Sequence, residues 1–258
     1  NHQISTLSEN EYKTISLSKN IYVVESPFLS LSVARNLLLN KVINKKISTD
    51  FFVILDDDVK IIDLQKYLLI LNQYCLDLCF DFASSHILIE NTKESLSRYC
   101  KFATNYQKPI ILDLNDHNMI LGSALLISKE IVLNAICFDP LLGIGSIYGG
   151  SEETDLFFTL IEEGYVGYYL PELIIYHPKF TKGQYSFRKI FGYGLGRGYA
   201  YRKHLSYKFP YYLNQFTISL LSNCVGVFYY FFKLDFDQIK RQVGLFCGKI
   251  SGFLKILG

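Results

Sequence analysis

The feature that most constrains the fold is an alternation of short apolar runs with segments of helical periodicity. The apolar runs cover residues 21–24, 51–55, 109–114 and 124–128. Continuous hydrophobicity over four to six residues is typical of strands that are buried on both faces of a parallel sheet. Helical patterns lie between these runs, at 33–42, about 64–76 and 128–135. The alternation predicts an α/β fold with a mostly parallel central sheet flanked by helices.

Charge is distributed unevenly along the chain. Residues 1–178 carry 13 Lys and Arg against 22 Asp and Glu, a net of −9, whereas residues 179–258 carry 13 against 2, a net of +11. A basic tail on an acidic body indicates an anionic partner, such as membrane phospholipid, a lipid-linked phosphate or a nucleotide. Nucleic acid is not expected, because no nucleic-acid-binding motif accompanies the basic residues. The six cysteines form no CxxC pair and mostly lie in apolar runs, which predicts buried free thiols in a reducing compartment.

Residues 181–258 have the composition of a basic, aromatic-rich helical extension. The segment 211–232 has the roughly 20 residues that a membrane-spanning helix needs, but amides such as Asn214 and Asn223 interrupt it. The segment 243–257 spaces two lysines among bulky apolar residues, as an amphipathic helix at a membrane surface does. Peripheral membrane association is therefore favoured, while a true span and packing against the body or a partner stay open.

Three consecutive carboxylates, at positions 56 to 58, directly follow the apolar run 51–55. In an open α/β sheet, ligands bind beyond the carboxyl ends of the strands. The side chains of Asp56 and Asp58 would point the same way in an extended segment, and two carboxylates placed there suit Mg²⁺ or Mn²⁺ bound with phosphates. The alternative is an acidic turn that caps the next helix, and this pattern alone does not decide between the two.

A glycine-rich segment over 138–150 leads to Ser151, a good N-cap residue, and then to a helix that ends at Gly164. Glu152 and Glu153 fall in the first turn, where the helix dipole favours ionised carboxylates. An ionised carboxylate at the end of a mobile loop can act as a general base. The alternative is a purely structural role, in which both acids only stabilise the helix N-terminus, by about 0.3–1 kcal/mol each.

Two further polar residues become candidates only in combination with these acids. His177 ends a strand-like run, and next to a metal it could be a ligand or a donor to phosphate, although an isolated histidine there is usually structural or exposed. Arg35 lies early in a helix that Ser30 or Ser32 can cap. It could pair with a phosphate or a carboxylate, although an ordinary helix start explains it equally well.

The order of these pieces resembles the family 2 glycosyltransferases with the GT-A fold, particularly the bacterial enzymes that build surface polysaccharides. The resemblance covers about residues 20–180 and is carried by five motifs in sequence. These are an Ala-Arg-Asn helix, an apolar strand ending in Asp-x-Asp, a GSALLIS strand, Gly-Gly-x-acid-acid-x-Asp-Leu, and a final strand ending in His. It implies a Rossmann-like, mostly parallel sheet and inverting transfer from a nucleotide-diphosphate sugar to a hydroxyl of a glycan or polyprenyl-linked acceptor.

The resemblance also implies a role for each matched residue. Asp56 and Asp58 would hold Mg²⁺ or Mn²⁺ on the donor diphosphate with His177 close by, and the metal would act as a Lewis acid for the leaving group. The catalytic base would be Glu153, although Glu152 stays open because this chain has Glu where the family more often has Asp. The remaining assignments are Arg35, Asn36, Asp57, Gly122 and Ser123 for the donor, and Gly150 and Asp155 for the acceptor.

A polysaccharide transferase often works at the inner face of the cytoplasmic membrane, where lipid-linked acceptors lie. Basic residues of the extension are therefore expected to bind anionic headgroups, at about 1 kcal/mol each near the surface. They are Arg188, Lys189, Arg197, Arg202 and Lys203. The alternating glycines at 192–198 are expected to form a flexible connection at that surface, because no strand-to-helix context supports a phosphate loop.

The chain departs from the family pattern at its start. The strand and loop that grip the nucleotide base, and the second strand with its acidic-Ser loop, are not recognisable before Ile21. We expect a catalytic domain over 1–180 that lacks these strands, followed by a membrane-associated extension over 181–258. A catalytically inactive membrane-bound scaffold or relic is the alternative function. A third is a metal-dependent phosphoryl enzyme that uses the three aspartates.

Overall fold

The structure, a computed structural model, describes residues 30–44, 49–90, 92, 108–178 and 186–254. Within these ranges the strands are β1 (Phe51–Leu55), β2 (Phe82–Ile89), β3 (Ile110–Ile111), β4 (Ala124–Ser128) and β5 (Gly167–His177). The helices are α1 (Leu31–Asn44), α2 (Leu64–Asp77), α3 (Lys129–Leu133), α4 (Glu152–Glu162), α5 (Phe187–Lys203), α6 (Phe209–Phe232) and α7 (Phe236–Leu254). Short 3₁₀ turns cover Leu114–Asp116 and His204–Ser206. The predicted strand at 21–24 lies outside the described residues.

The strands form one mixed sheet with the order β1-β4-β2-β5-β3. Of its four strand pairs, β2 with β5 is parallel and the other three are antiparallel. The prediction of a mostly parallel sheet is therefore wrong. Strand β4 shows why, since it is buried along its whole length yet pairs antiparallel on both sides. A continuous apolar run reports burial on both faces, and it does not report strand direction.

Several predicted elements are present at the expected places. The runs 51–55 and 124–128 form β1 and β4, and the three helical patterns correspond to α1, α2 and a shorter α3. The run 109–114 is a strand for only two residues, because Asp113 then caps the Leu114–Asp116 turn by accepting a bond from the Asn115 N–H. Ser151 precedes α4, but its backbone is left-handed with φ 67° and its side chain makes no capping bond.

Strand β2 has no counterpart among the predicted runs, because polar residues interrupt its apolar pattern. Ser84, Ser85 and His86 are all buried in it. Each side chain has a partner within the fold: the Ser84 hydroxyl donates to the Met119 carbonyl at 3.0 Å, Ser85 Oγ lies 2.9 Å from the Tyr67 hydroxyl, and His86 bonds to the Tyr169 hydroxyl. Buried polar groups that are hydrogen-bonded in this way are compatible with a central strand.

The sheet separates two apolar layers. Alternate residues of β4 point to opposite sides: Leu125 and Ile127 pack with α4 and the C-terminal helices, and Ala124 and Leu126 pack with α2. The first layer holds a cluster of aromatic rings from α4, α5 and α6. Helices α5 and α6 therefore share a core with the sheet instead of standing apart from it.

Glycines allow α5 to approach α7 closely. A Cβ at Gly198 would lie 2.0 Å from the Lys249 carbonyl oxygen, and one at Gly194 would lie 2.5 Å from the Leu245 carbonyl oxygen. The facing glycine Gly252 of α7 is equally tight against α5, at 2.0 Å from a backbone oxygen. Small residues four apart on both helices let the two backbones touch, so the expectation of a flexible glycine connection is wrong.

A second pair of glycines places another face of α5 against the loop that leads to α4. A Cβ at Gly196 would lie 2.0 Å from the Gly150 carbonyl oxygen, and Gly192 lies directly against Gly149. The Tyr193 ring covers Gly150, where a Cβ would meet it at 2.7 Å. Helix α5 is thus wedged between α7 and the loop before the two glutamates.

Helix α6 presents much of its apolar surface outward. Among the described residues it is the one helix long and apolar enough to cross a membrane, judged by length and composition alone. The lysine at 249, expected at a membrane surface, instead points inward from α7: it is 9% exposed, and its ammonium donates to the Asn223 side chain at 2.6 Å and to Ser219. The described cysteines are free, but four of the five are exposed, contrary to the prediction of buried thiols.

Candidate functional site

The three aspartates form a turn at the end of β1. Residues 57 and 58 occupy the turn, which the Val59 N–H closes by donating to the Asp56 carbonyl at 3.5 Å. Lys60 then pairs with Tyr176 of β5 through two backbone bonds of 2.8 Å each. Because the segment turns, the strand alternation assumed for Asp56 and Asp58 does not apply, and the two side chains contact different partners.

Asp58 lies beside His177, the last residue of β5. Its Oδ2 is 3.6 Å from His177 Nε2, and His177 Nδ1 is 2.8 Å from the Pro178 carbonyl oxygen. A carbonyl oxygen can only accept, so Nδ1 carries the hydrogen in that bond. The Nε2 atom, on the other side of the ring, is then the one that faces the Asp58 carboxylate. This is the arrangement in which a backbone carbonyl orients a metal-binding histidine.

These two side chains fit a divalent cation only together with ligands from a substrate. No group of three or more His, Cys, Asp or Glu side chains converges on one point within the described ranges. Mg²⁺ and Mn²⁺ accept such a site, since they are commonly held by one or two protein groups, by water and by phosphate oxygens. Asp58 is half exposed and can meet such a substrate, whereas His177 is largely buried behind it.

Arg35 of α1 joins Asp56 to the first turn of α4. Its Nη2 lies 2.8 Å from Asp56 Oδ1 and 3.3 Å from the Gly122 carbonyl oxygen, while Nη1 lies 3.0 Å from Glu152 Oε1. The guanidinium also stacks 5.2 Å from the centre of the Phe138 ring. With 7% of its side chain exposed, Arg35 organises the acidic residues rather than reaching outward. Gly122 permits this contact, because a Cβ there would lie 3.0 Å from Nη1.

The two glutamates at the start of α4 differ in their surroundings. Glu152 is 6% exposed and ion-paired with Arg35, and Glu153 is half-buried. Burial raises the pKa of Glu152 and the neighbouring Glu153 raises it further, while Arg35 opposes both effects. Two adjacent carboxyls in unlike environments can take unlike protonation states, which is how one fold separates a base from a supporting acid. Glu153 is the more exposed of the two, and its role as the base stays a prediction.

Of the other donor-site candidates, Asn36 holds the loop before α4 in place. Asn36 binds the Phe138 backbone twice, donating to its carbonyl at 2.7 Å and accepting from its N–H at 3.0 Å. Asp57 is exposed on the turn and Ser123 is buried at the start of β4. Their contacts with a donor stay predictions.

The five basic residues expected at lipid headgroups are in unlike environments. Arg188 and Arg202 are exposed and Arg197 is half-buried. Lys203 is ion-paired with Asp139 at 2.8 Å and with Asp155 at 2.9 Å. Headgroup binding stays a prediction for all of them, but Lys203 already has two carboxylate partners within the fold.

Lys189, which the sequence pattern assigned only to the membrane, lies near the acidic turn. Burial lowers its pKa, and the nearby Asp58 carboxylate acts against that shift. Its ammonium lies 6.0 Å from the centre of the Tyr193 ring, one helical turn along α5. Since Tyr193 covers Gly150, Lys189 lies between the acidic turn and the loop that precedes Glu153. The sequence shows that residue 189 is basic, but no local pattern shows which surface of the fold its side chain faces.

Asp155, expected near the acceptor, is 1% exposed and has both carboxylate oxygens occupied. Oδ2 meets Lys203 Nζ at 2.9 Å and Oδ1 meets His204 Nε2 at 3.0 Å. These are the contacts of an anchor for α4. A contact with an acceptor is not among them and stays a prediction.

Comparisons with known proteins find a similar fold but no similar sequence. No protein-family model matches the chain, and no curated protein matches it in sequence. Its structure is similar to that of the mannosyltransferase PcManGT from Pyrobaculum calidifontis in complex with GDP-Man and Mn²⁺, with a TM-score of 0.53. The match covers 90% of this chain and 69% of that chain at 12% sequence identity. The chain therefore has a mixed α/β fold similar to that of a glycosyltransferase.

Proposed function

We propose that this protein is a metal-dependent, inverting glycosyltransferase of the GT-A type, in the family 2 class of bacterial polysaccharide enzymes. It moves a sugar from a nucleotide-diphosphate donor to a hydroxyl of a glycan or lipid-linked acceptor. The observation that carries the proposal is that two pairs of functional side chains lie near each other at one end of the sheet. Asp58 with His177 and Glu152 with Glu153 lie on either side of Arg35 and Asp56. The similarity to the fold of a nucleotide-sugar transferase supports it.

Asp58 and His177 are the residues that would hold Mg²⁺ or Mn²⁺. A bound cation supplies positive charge against the donor diphosphate. Asp56, which Arg35 already binds, completes the acidic rim of the donor site. Lys189 adds a second positive charge next to Asp58, where the diphosphate of the donor would lie.

Glu153 is the proposed base. Its carboxylate takes the proton of the acceptor hydroxyl while the acceptor oxygen forms a bond to the anomeric carbon. The bond from that carbon to the diphosphate oxygen breaks on the opposite face, and the nucleoside diphosphate leaves with the electron pair. This sequence inverts the anomeric centre. Glu152 stays bound to Arg35 and keeps the first turn of α4 in place.

The outward surface of α6 supports a location at the inner face of the cytoplasmic membrane. Five of its exposed apolar residues recur every three or four positions, which puts these five on one side of the helix: Ile218, Leu221, Val225, Phe228 and Phe232. A helix with such a side lies in the interface between headgroups and acyl chains. Exposed Arg188 and Arg202 are available for anionic lipids, and a lipid-linked acceptor would then reach the site from the membrane.

The test is calorimetric titration of GDP, UDP and dTDP into the protein with and without Mn²⁺, starting with GDP. We expect metal-dependent binding of one nucleotide, lost in Asp58→Ala because the cation then loses a carboxylate ligand. Asp57→Ala is the matched comparison, since it removes an adjacent exposed carboxylate that does not face His177. Loss of the donor contact predicted for Asp57 would weaken nucleotide binding, but the remaining binding should still depend on Mn²⁺. Failure of all three nucleotides to bind the folded protein would reject the proposal and favour a non-catalytic scaffold.

A further inference from the structure

A largely buried charged cluster lies beside α4, the helix that bears the proposed base, and is built around Asp155 and Glu162. Asp155, in the first turn of α4, accepts from Lys203 at 2.9 Å and from His204 at 3.0 Å. Lys203 ends α5 and His204 begins the 3₁₀ turn that follows it. The first turn of α4 is therefore bound directly to the C-terminal helices.

The same cluster also holds the far end of α4. His204 Nδ1 lies 2.7 Å from Glu162 Oε2, and the Tyr212 hydroxyl of α6 donates to Glu162 Oε1 at 2.5 Å. Glu162 is the last residue of α4, so the helix is fixed at both ends through one histidine. With two anchors separated by two helical turns, α4 can neither tilt nor rotate without breaking an ion pair.

His204 makes these contacts as an imidazolium. Each ring nitrogen faces a carboxylate oxygen, and a neutral imidazole could donate to only one of them. Burial alone would lower the pKa of His204, but the hydrogen bonds and charges of Asp155 and Glu162 outweigh it and raise the pKa. The cluster then sets three carboxylates, of Asp139, Asp155 and Glu162, against two cations, of Lys203 and His204, which leaves a net charge of −1.

Along the chain, Glu153 lies between two fixed residues. Arg35 holds Glu152, and Lys203 with His204 holds Asp155. Buried ion pairs of this kind add little net stability compared with apolar packing, but they can fix the position of one element against another. A base must stay within hydrogen-bond reach of the proton that it removes.

We propose that Lys203 and His204 are positioning residues that hold the proposed base Glu153 in its working place through Asp155. The inference rests on the proposed function, and it makes the C-terminal helices part of the catalytic unit. The variants are His204→Gln and Lys203→Met, with Lys203→Arg as the conservative rescue. Lys66→Met, at an exposed lysine of α2, is the matched control.

The readouts are binding of GDP with Mn²⁺ by calorimetry and release of GDP from GDP-mannose with water as the acceptor. We expect His204→Gln and Lys203→Met to lower kcat by about tenfold to a hundredfold while GDP binding is unchanged, because displacement of a catalytic group affects chemistry alone. Lys203→Arg should recover most of the rate, and Lys66→Met should not alter it. Unchanged kcat in both variants, or equal losses of GDP binding and rate, would overturn the inference.

A double-mutant cycle tests whether the contact with Asp155 carries the effect. If His204 acts through Asp155, then Asp155→Asn combined with His204→Gln should cost no more rate than the larger single change; additive losses would refute this route. If wild type releases no GDP from GDP-mannose, GDP-mannose is not the donor. Amide hydrogen exchange over 152–155 then decides: faster exchange in His204→Gln than in Lys66→Met supports the positioning, and equal exchange rejects it.

Discussion

Arg35→Met should destabilise the protein by an amount that grows with pH. The substitution removes two ion pairs, of 2.8 and 3.0 Å, and leaves the two carboxylates in different surroundings. The Asp56 side chain is 34% exposed and can be solvated, so its lost pair is worth about 0–1 kcal/mol. Glu152 is 6% exposed, so water cannot solvate its carboxylate in the same way. It must either stay charged in the interior or become protonated, and protonation is the cheaper outcome.

The cost of that protonation can be worked out from the ordinary carboxyl pKa of 4.5. Each pH unit above this value adds about 1.36 kcal/mol. Keeping Glu152 neutral in the folded protein therefore costs up to about 5 kcal/mol near pH 8 and under about 1 kcal/mol near pH 5. Wild type already bears most of this cost up to about pH 8, because burial, the largest cause, raises its Glu152 pKa to about 8. The sign follows, since a carboxyl with a raised folded pKa loses stability as pH rises above its unfolded value.

Urea unfolding near pH 5 and near pH 9 measures the effect. We expect Arg35→Met to lose about 1–2 kcal/mol near pH 5, from its hydrogen bonds and packing, and about 1 kcal/mol more near pH 9, because only the wild-type Glu152 ionises above its pKa of about 8. The control is Arg35→Met combined with Glu152→Gln, in which the pH-dependent part should disappear. An equal loss for Arg35→Met at both pH values would refute the reasoning, because it would mean that Glu152 does not depend on Arg35 for its charge.

Three other changes test separate parts of the structure. Glu153→Gln should reduce kcat by at least about a hundredfold, since general-base catalysis contributes that much, and should retain GDP binding. Product-release kinetics and calorimetry measure the two quantities, and an unchanged kcat would exclude Glu153 as the base. Lys189→Met should weaken GDP binding, because it removes a positive charge near the proposed diphosphate site. It should not lower the unfolding midpoint, because a cation in the first turn of α5 faces the unfavourable end of the helix dipole. Calorimetry and urea unfolding measure the two effects, and unchanged binding would place Lys189 outside the site. Gly198→Ala should cost about 1–3 kcal/mol by urea unfolding, because its Cβ would meet a backbone oxygen at 2.0 Å. Gly226→Ala, which meets only the Gln242 side chain, should be nearly neutral, and equal losses for the two would argue against the close α5–α7 contact.

Local patterns in the sequence predicted elements but not their mutual arrangement. The runs that became β1 and β4 were visible because their residues are uniformly apolar. Strand β2 was hidden because Ser84, Ser85 and His86 are buried with partners from distant segments. Which polar residue will find a partner is a property of the assembled fold. The same limit applies to strand direction, which depends on the path of the chain between strands.

The glycines of α5 illustrate the limit most clearly. Alternate glycines lower helix propensity by about 1 kcal/mol each, so a flexible linker was the natural expectation. The structure places two of them against α7 and two against the loop before α4, and at Gly194, Gly196 and Gly198 a Cβ would collide with backbone. Contacts with two surfaces offset the propensity cost. Neither surface is visible in the local sequence, since one lies about 50 residues ahead along the chain and the other about 45 behind.

The three consecutive aspartates need no single cation to be tolerated together. Asp56 is neutralised by Arg35, Asp57 is exposed to water, and Asp58 faces His177 and lies near Lys189. The turn at 57 and 58 separates the three charges into three directions, so that their mutual repulsion is small before any ligand binds. Asp58 is then the carboxylate with capacity left for a ligand. This is why its substitution, and not that of its neighbour on the turn, is expected to abolish metal-dependent nucleotide binding.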